Sequence, residues 1–112
     1  MRRLMLLALL LAPAVAFSGQ AEAKRAHYCQ LLENAFVTAA STRDNGMSPK
    51  QSYNVLMGSV GSAKDDAIPS AKIKKVINLV YFDPRFTYAG GPPLGEQVFN
   101  SCMGRKQYKP LR

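Results

Sequence analysis

Two cysteines, one histidine and one adjacent pair of aspartates are the residues in this 112-residue chain whose types could carry chemistry. Cys29 and Cys102 do not form a C-x-x-C arrangement, so neither thiol exchange nor c-type haem attachment is signalled. His27 has no second histidine and no further cysteine to join it in a metal cluster. A hydrolase needs a nucleophile, a base and an orienting group. His27 would have to be the base, and no G-x-S-x-G motif supplies the nucleophile. The neighbouring carboxylates of Asp65 and Asp66 suit helix capping and solubility. They would serve as the acid/base pair of a glycan hydrolase only if the fold placed them in a cleft. Met47, Met57 and Met103 could offer thioethers to copper, but filling irregular core gaps is the commoner use of such residues. The expectation is a protein that is not an enzyme, with no cofactor and no metal.

The N-terminus says where such a chain would work. Arg2 and Arg3 precede an apolar stretch, Leu4 to Phe17, of 14 residues, broken by Pro13. Ala21-Glu22-Ala23 has the small-x-small form of a signal-peptidase site. A membrane-spanning helix needs about 20 apolar residues. Residues 1–23 therefore read as a cleaved signal peptide, with Ala14-Val15-Ala16 as a second possible cut and an uncleaved anchor as the alternative. Tyr28 before Cys29 does not fit a lipidation signal. Cleavage after Ala23 removes Arg2, Arg3 and Glu22 and takes the formal net charge from +8 to +7. It leaves a short, basic helical domain over residues 24–104 and an expected basic, flexible tail over 105–112, in the periplasm or secreted.

The elements that must position these residues follow from apolar spacing. Tyr28, Leu31, Leu32, Ala35, Phe36, Ala39 and Ala40 mark one face of a helix over residues 26–43, with Cys29 on its flank. Arg43 is placed to interact with that helix's C-terminus, and Asn45-Gly46 stops it. Ser48 is the N-cap of a second helix, 49–60, with Pro49 at the first helical position and Gln51 able to complete a capping box. Its apolar stripe is Tyr53, Leu56, Met57 and Val60. Gly58 weakens it by about 1 kcal/mol relative to alanine, and a small residue there would permit close packing. Residues 61–69 form a polar loop. Ile73, Val76, Ile77, Val80 and Tyr81 give a third helix, 69–82, although its β-branched residues leave a strand open. Asp83-Pro84 stops it, and residues 83–93 are loop. Leu94, Val98 and Cys102 give a fourth helix, 94–103, ended by Gly104. The fold class is thus all-α, a small four-helix domain closed by one disulfide.

That disulfide is an inference from position. Both cysteines lie on or beside apolar stripes of the terminal helices, and exported domains of this size commonly use bridges to supplement a small core. Two free buried thiols or an intermolecular link are the alternatives.

Two surfaces remain as candidate contact sites. Phe86 and Tyr88 within the 83–93 loop either cap the open edge of the core or, with Tyr81, Phe82 and Arg85, form a recognition surface. Lys72, Lys74 and Lys75 lie mostly off the third apolar face, which makes them a solvated helix side. With Arg105, Lys106, Lys109 and Arg112 they could also form a basic patch for anionic envelope components such as lipopolysaccharide or lipid. Nucleic acid is a poor partner, because the basic residues form no single stripe.

The layout of residues 26–104 is similar to that of small exported, α-helical, single-disulfide proteins of Gram-negative bacteria. Acid-stress periplasmic chaperones and the periplasmic immunity proteins of type VI secretion systems are among them. The segments A-x-x-R-D-N-G-M-S (Ala40–Ser48) and V-Y-F-D-P-R-F (Val80–Phe86), with Cys102, look like uncharacterised exported proteins of that kind. The resemblance implies the fold and carries over no binding residue. An acid-stress chaperone would have few charges at low pH, and this strongly basic chain departs from that pattern. The expected function is a protein-binding module, with a cationic envelope binder as the alternative and an enzyme as the third reading.

Overall fold

The computed structural model describes residues 2–105, with side chains from Gly19 onward. Four helices are present and there is no strand among the described residues: α1 (Arg2–Asp44), α2 (Pro49–Gly58), α3 (Ser70–Phe82) and α4 (Gly91–Cys102). The all-α four-helix expectation holds, and the strand alternative for the third segment does not.

The helix boundaries differ from the sequence reading where packing and propensity part company. The 26–43 helix is the packed end of a much longer one, since α1 begins at Arg2. Apolar spacing reports only the buried face. Residues 19–25 of α1 are all exposed, and helical backbone continues through them because Ala, Gln, Glu, Lys and Arg are good helix formers. The second helix ends at Gly58, and Val60–Ser62 forms a separate 3-10 turn. The third starts at Ser70 with Pro69 as N-cap. The stretch 83–93 is not a continuous loop. It contains a 3-10 turn at Pro84–Phe86 and the first turn of α4, which opens at Gly91 rather than Leu94. Pro92 and Pro93 are tolerated there because the first amides of a helix have no internal partner to lose.

Local signals behave as their chemistry dictates at α2. Ser48 Oγ accepts from the Gln51 amide at 3.2 Å, and Gln51 Oε1 accepts from the Ser48 amide at 2.8 Å, a complete capping box. At the end of α1, Gly46 sits at φ +80°. The Gly46 amide donates to the Arg43 carbonyl and the Met47 amide to the Thr42 carbonyl, closing a Schellman motif. Gly104 does the same for α4, at φ +76°.

α1 is the spine against which α2, α3 and α4 all pack, and α4 packs chiefly on α1. Ala35, Ala39 and Ala40 are wholly buried, and such small residues let neighbouring backbones approach α1 closely. Around them lie Leu32, Phe36, Leu56, Ile73, Val76, Ile77, Val80, Leu94 and Val98. Ile68, at the end of the polar 61–69 loop, belongs to this core, and its amide donates to the Val60 carbonyl at 3.0 Å. The close-packed glycine is not Gly58, whose surroundings are open. Close approach occurs instead at Gly61, where a Cβ would lie 3.0 Å from Ile73 Cδ1, and at Gly95, where it would lie 3.2 Å from Val37 Cγ2 and 3.1 Å from Glu33 Oε2.

The bridge between Cys29 and Cys102 is formed, with an S–S distance of 2.09 Å. It joins α1 to the last residue of α4 across 73 residues of sequence. Closing a loop of that length restricts the unfolded chain by about 4 kcal/mol in the chain-entropy model. Replacing both residues (Cys29→Ser with Cys102→Ser) is therefore expected to lower the unfolding free energy by about 4 kcal/mol. Urea titration checks this, and an unchanged midpoint would show that the bridge contributes no stability.

Candidate interaction surface at the α3–α4 corner

The chain leaves α3 at Phe82 and enters α4 at Gly91, and everything between hangs on Arg43. The last carbonyls of a helix lack internal partners. Arg43, in the last turn of α1, reaches across to them. Its Nη1 donates to the carbonyl of Val80 at 3.0 Å and of Phe86 at 2.7 Å, and its Nη2 donates to the carbonyl of Ala89 at 2.8 Å. Nε donates to Asp44 Oδ1 at 3.0 Å. The side chain is only 16% exposed. Only a guanidinium offers five donors in a fixed fork, so one side chain can hold three segments in register. The sequence reading placed Arg43 at its own helix terminus. The structure places it at the end of α3 and along the connection, a long-range role with no signature in sequence spacing.

A second tie sits beside it. Tyr81 OH donates to the Met47 carbonyl at 2.9 Å and lies 3.1 Å from Thr42 Oγ1. Thr42 Oγ1 is in turn 2.7 Å from Ser52 Oγ and 2.9 Å from the Ala39 carbonyl. Thr42 and Ser52 are both buried. Buried hydroxyls need partners, and this cluster joins α1, α2 and α3 by satisfying one another. Nothing in the pattern of apolar residues marks Thr42 or Ser52 as core positions.

With the backbone fixed, side chains of the corner divide by direction. Phe86 is 4% exposed and stacks on Phe36 with ring centroids 5.8 Å apart. Ala89 is buried beside it. Phe82 and Tyr88 point outward, 67% and 91% exposed. Tyr81 is half-buried. Of the five residues grouped by sequence, then, Phe86 and Tyr81 anchor the corner, while Phe82, Arg85 and Tyr88 form its outer face. The two readings of the aromatic loop divide between residues: Phe86 caps the core and Tyr88 does not.

Arg85 is engaged locally. Its Nε and Nη2 donate to Asp83 Oδ1 and Oδ2 at 3.1 and 2.9 Å, and the Arg85 amide donates to Asp83 Oδ1 at 2.9 Å. The side-chain and backbone hydrogen bonds from Arg85 hold the Asp83 carboxyl below its ordinary value, and Asp83 raises Arg85 in return. The corner thus shows two aromatics flanking a neutralised ion pair.

The basic residues are spread differently. Lys74 and Lys75 are exposed and Lys72 is half-buried. Lys74 Nζ lies 5.7 Å from the Tyr53 ring centroid, beside a shallow groove of about 330 Å³ that Lys50 also lines. Arg105 lies just beyond the end of α4, over the Phe99 ring. Lys106, Lys109 and Arg112 lie outside the described residues. His27 is exposed on α1. Among the described residues no group of three or more His, Cys, Asp or Glu is gathered as a metal site, and no helix is long and apolar enough to cross a membrane.

No protein-family model, curated protein or solved structure matches the chain.

Two outcomes test the division of the corner. Arg43→Lys is expected to cost about 2 kcal/mol, since an ammonium cannot serve three carbonyls at once, whereas Tyr88→Ser stays within about 0.5 kcal/mol. Chemical denaturation compares them, and a larger loss for Tyr88→Ser would mean that Tyr88 supports the fold. The Asp83 carboxyl is expected to titrate below the normal aspartate range, and Arg85→Gln to return it there. Because the folded-state value is the lower one, the pair's contribution is present above the unfolded value. It is lost as pH falls through the folded one, so its loss is confined to acid conditions below about pH 4. A carboxyl-carbon NMR titration reads this directly.

Proposed function

We propose that this protein is an exported, non-catalytic protein-binding module that docks through the outer face of the α3–α4 corner. The observation that carries the reading is the exposure of Phe82 and Tyr88 on a backbone that Arg43, Phe86 and Ala89 hold in place. Aromatic side chains dominate the energetics of protein interfaces, and presenting them on an ordered backbone lowers the ordering cost of binding. The Asp83–Arg85 pair between them supplies polar contacts of fixed geometry beside the apolar ones.

Export is supported by the signal-like character of residues 1–23 and by the Cys29–Cys102 bridge, which suits an oxidising compartment. Residues 19–25, around the expected cut after Ala23, are all exposed. The periplasm is the compartment that fits the resemblance to small Gram-negative exported proteins, and a toxin recognised in immunity fashion is one class of partner. The second reading, a cationic binder of anionic envelope surface, draws on Lys50, Lys74 and Lys75 on the α2–α3 side.

Site-specific photo-crosslinking in the envelope separates the two. A crosslinker at position 82 or 88 is expected to capture a discrete protein, while one at Asn54, on exposed α2, is not. The capture should disappear when the partner position, Tyr88 or Phe82, is changed to serine. Crosslinks to lipid or lipopolysaccharide from position 75, with none to protein from 82 or 88, would replace the docking reading with the cationic one.

A further inference from the structure

α2 and α3 pack side by side, and the shallow groove of about 330 Å³ runs between them. That volume is at the low end of those in which proteins hold small ligands. Pro49, Lys50 and Tyr53 line it from α2, and Lys74, Ile77 and Asn78 from α3. On each helix the first and last of these are four residues apart, so each set presents one face. All six lie within the packed domain, far in sequence from the expected cut after Ala23.

The charge of this groove is one-sided. The two helices carry Lys50, Lys72, Lys74 and Lys75 and no aspartate or glutamate. No carboxylate lines the groove, and neither Lys50 nor Lys74 forms an ion pair with a described residue. The hydrogen-bonding groups are uncommitted as well. Among the described residues, no side-chain hydrogen bond engages Lys50, Tyr53, Lys74 or Asn78. Lys74 is nonetheless held at the groove, with its Nζ 5.7 Å from the centroid of the Tyr53 ring, a cation–π contact. Ile77, buried, forms the floor, and Pro49, half-buried, forms part of the wall. The large apolar side chains that protrude from the domain, Val55, Phe82 and Tyr88, line no part of it. The groove therefore suits a ligand that arrives from solution, not a bilayer that side chains must enter.

We propose that the α2–α3 groove binds a small soluble phosphate monoester. The ammonium groups of Lys50 and Lys74, each with three donors, take the phosphate. A monoester carries about 1.5 to 2 negative charges near neutral pH and three acceptor oxygens, which matches two lysines better than the single charge of a carboxylate. The Tyr53 hydroxyl and the Asn78 amide add neutral donors, and the organic part of the ester lies on Pro49 and Ile77. This inference goes beyond the docking reading and does not rest on it, since Phe82, Arg85 and Tyr88 are outside the groove.

The test is a titration of the full chain with phenyl phosphate, followed by the amide resonances in NMR. Shifts are expected at residues 49–54 and 74–78. Lys50→Gln and Lys74→Gln should each weaken binding about fivefold, the loss expected for one close charge pair in water. Lys75→Gln removes the same charge from outside the groove and should change binding by less than about twofold. All three lysines are exposed, so these variants keep the fold. Phenyl sulfate has the same shape and one charge, and should bind about fivefold more weakly than phenyl phosphate. Binding should also weaken below about pH 6, where the monoester takes up its second proton. Equal losses for Lys74→Gln and Lys75→Gln overturn the proposal, because the lysines would then act as a diffuse cationic surface. Phenyl sulfate binding as tightly as the phosphate overturns it too, as does the absence of shifts in the groove. Binding to vesicles of phosphatidic acid, with no response to the soluble ester, would assign these lysines to a membrane surface instead.

Discussion

A helix ends with carbonyl groups that have no partner inside the helix, and in this small domain the guanidinium of Arg43 answers that need across the fold. By bonding Val80, Phe86 and Ala89 at once it fixes the end of α3, the 3-10 turn and the approach to α4. The consequences spread outward. Phe86 is delivered onto Phe36, Ala89 is buried, and the chain reaches Gly91 in position to turn α4 back along α1. The direction in which Phe82 and Tyr88 face solvent depends on the same three bonds. Burying an arginine is costly unless its donors are satisfied, and here Asp44 and the three carbonyls take four of its five.

The other end of the packed part of α1 is held by different physics. There the chain closes on itself through Cys29 and Cys102, a covalent constraint that acts mostly by limiting the unfolded ensemble. Between the two ends, α1 presents the buried alanines Ala35, Ala39 and Ala40 alongside Leu32 and Phe36, and the alanines let neighbouring backbones come close. At Gly95 a Cβ would crowd Glu33 and Val37 at 3.1–3.2 Å, so α4 comes close to α1 there. A domain with so few residues has little core to spare. A polar clamp at one end, a covalent staple at the other and close-packed small residues between them are three ways of adding stability without adding size.

This division of labour also shapes what the surface offers. The proposed docking face gains its rigidity from the polar clamp. That face is aromatic, with an internally neutralised ion pair.

The sequence by itself determined the helical class, the four apolar stripes, the Ser48–Gln51 capping box and the glycine stops at Gly46 and Gly104. All of these are local or nearly so. Helical periodicity, caps and αL glycines are read from residues a few positions apart, whereas the Cys29–Cys102 bridge spans 73 residues and was one of three outcomes that the sequence left open. Only the tertiary structure decided that Arg43 serves α3 rather than α1, that Thr42 and Ser52 are core residues, and that Gly61 and Gly95 rather than Gly58 are the close-packed glycines. It also decided that Phe86 points inward while Tyr88, two residues later, points outward. The α1 boundary belongs with these, because apolar spacing reports where a helix is buried, not where its backbone stops. Each depends on a partner more than a turn or two away in sequence. A hydrogen bond or a van der Waals contact is set by distance in space, and in a chain of mostly short helices that distance is fixed only once α1 has gathered the others around it.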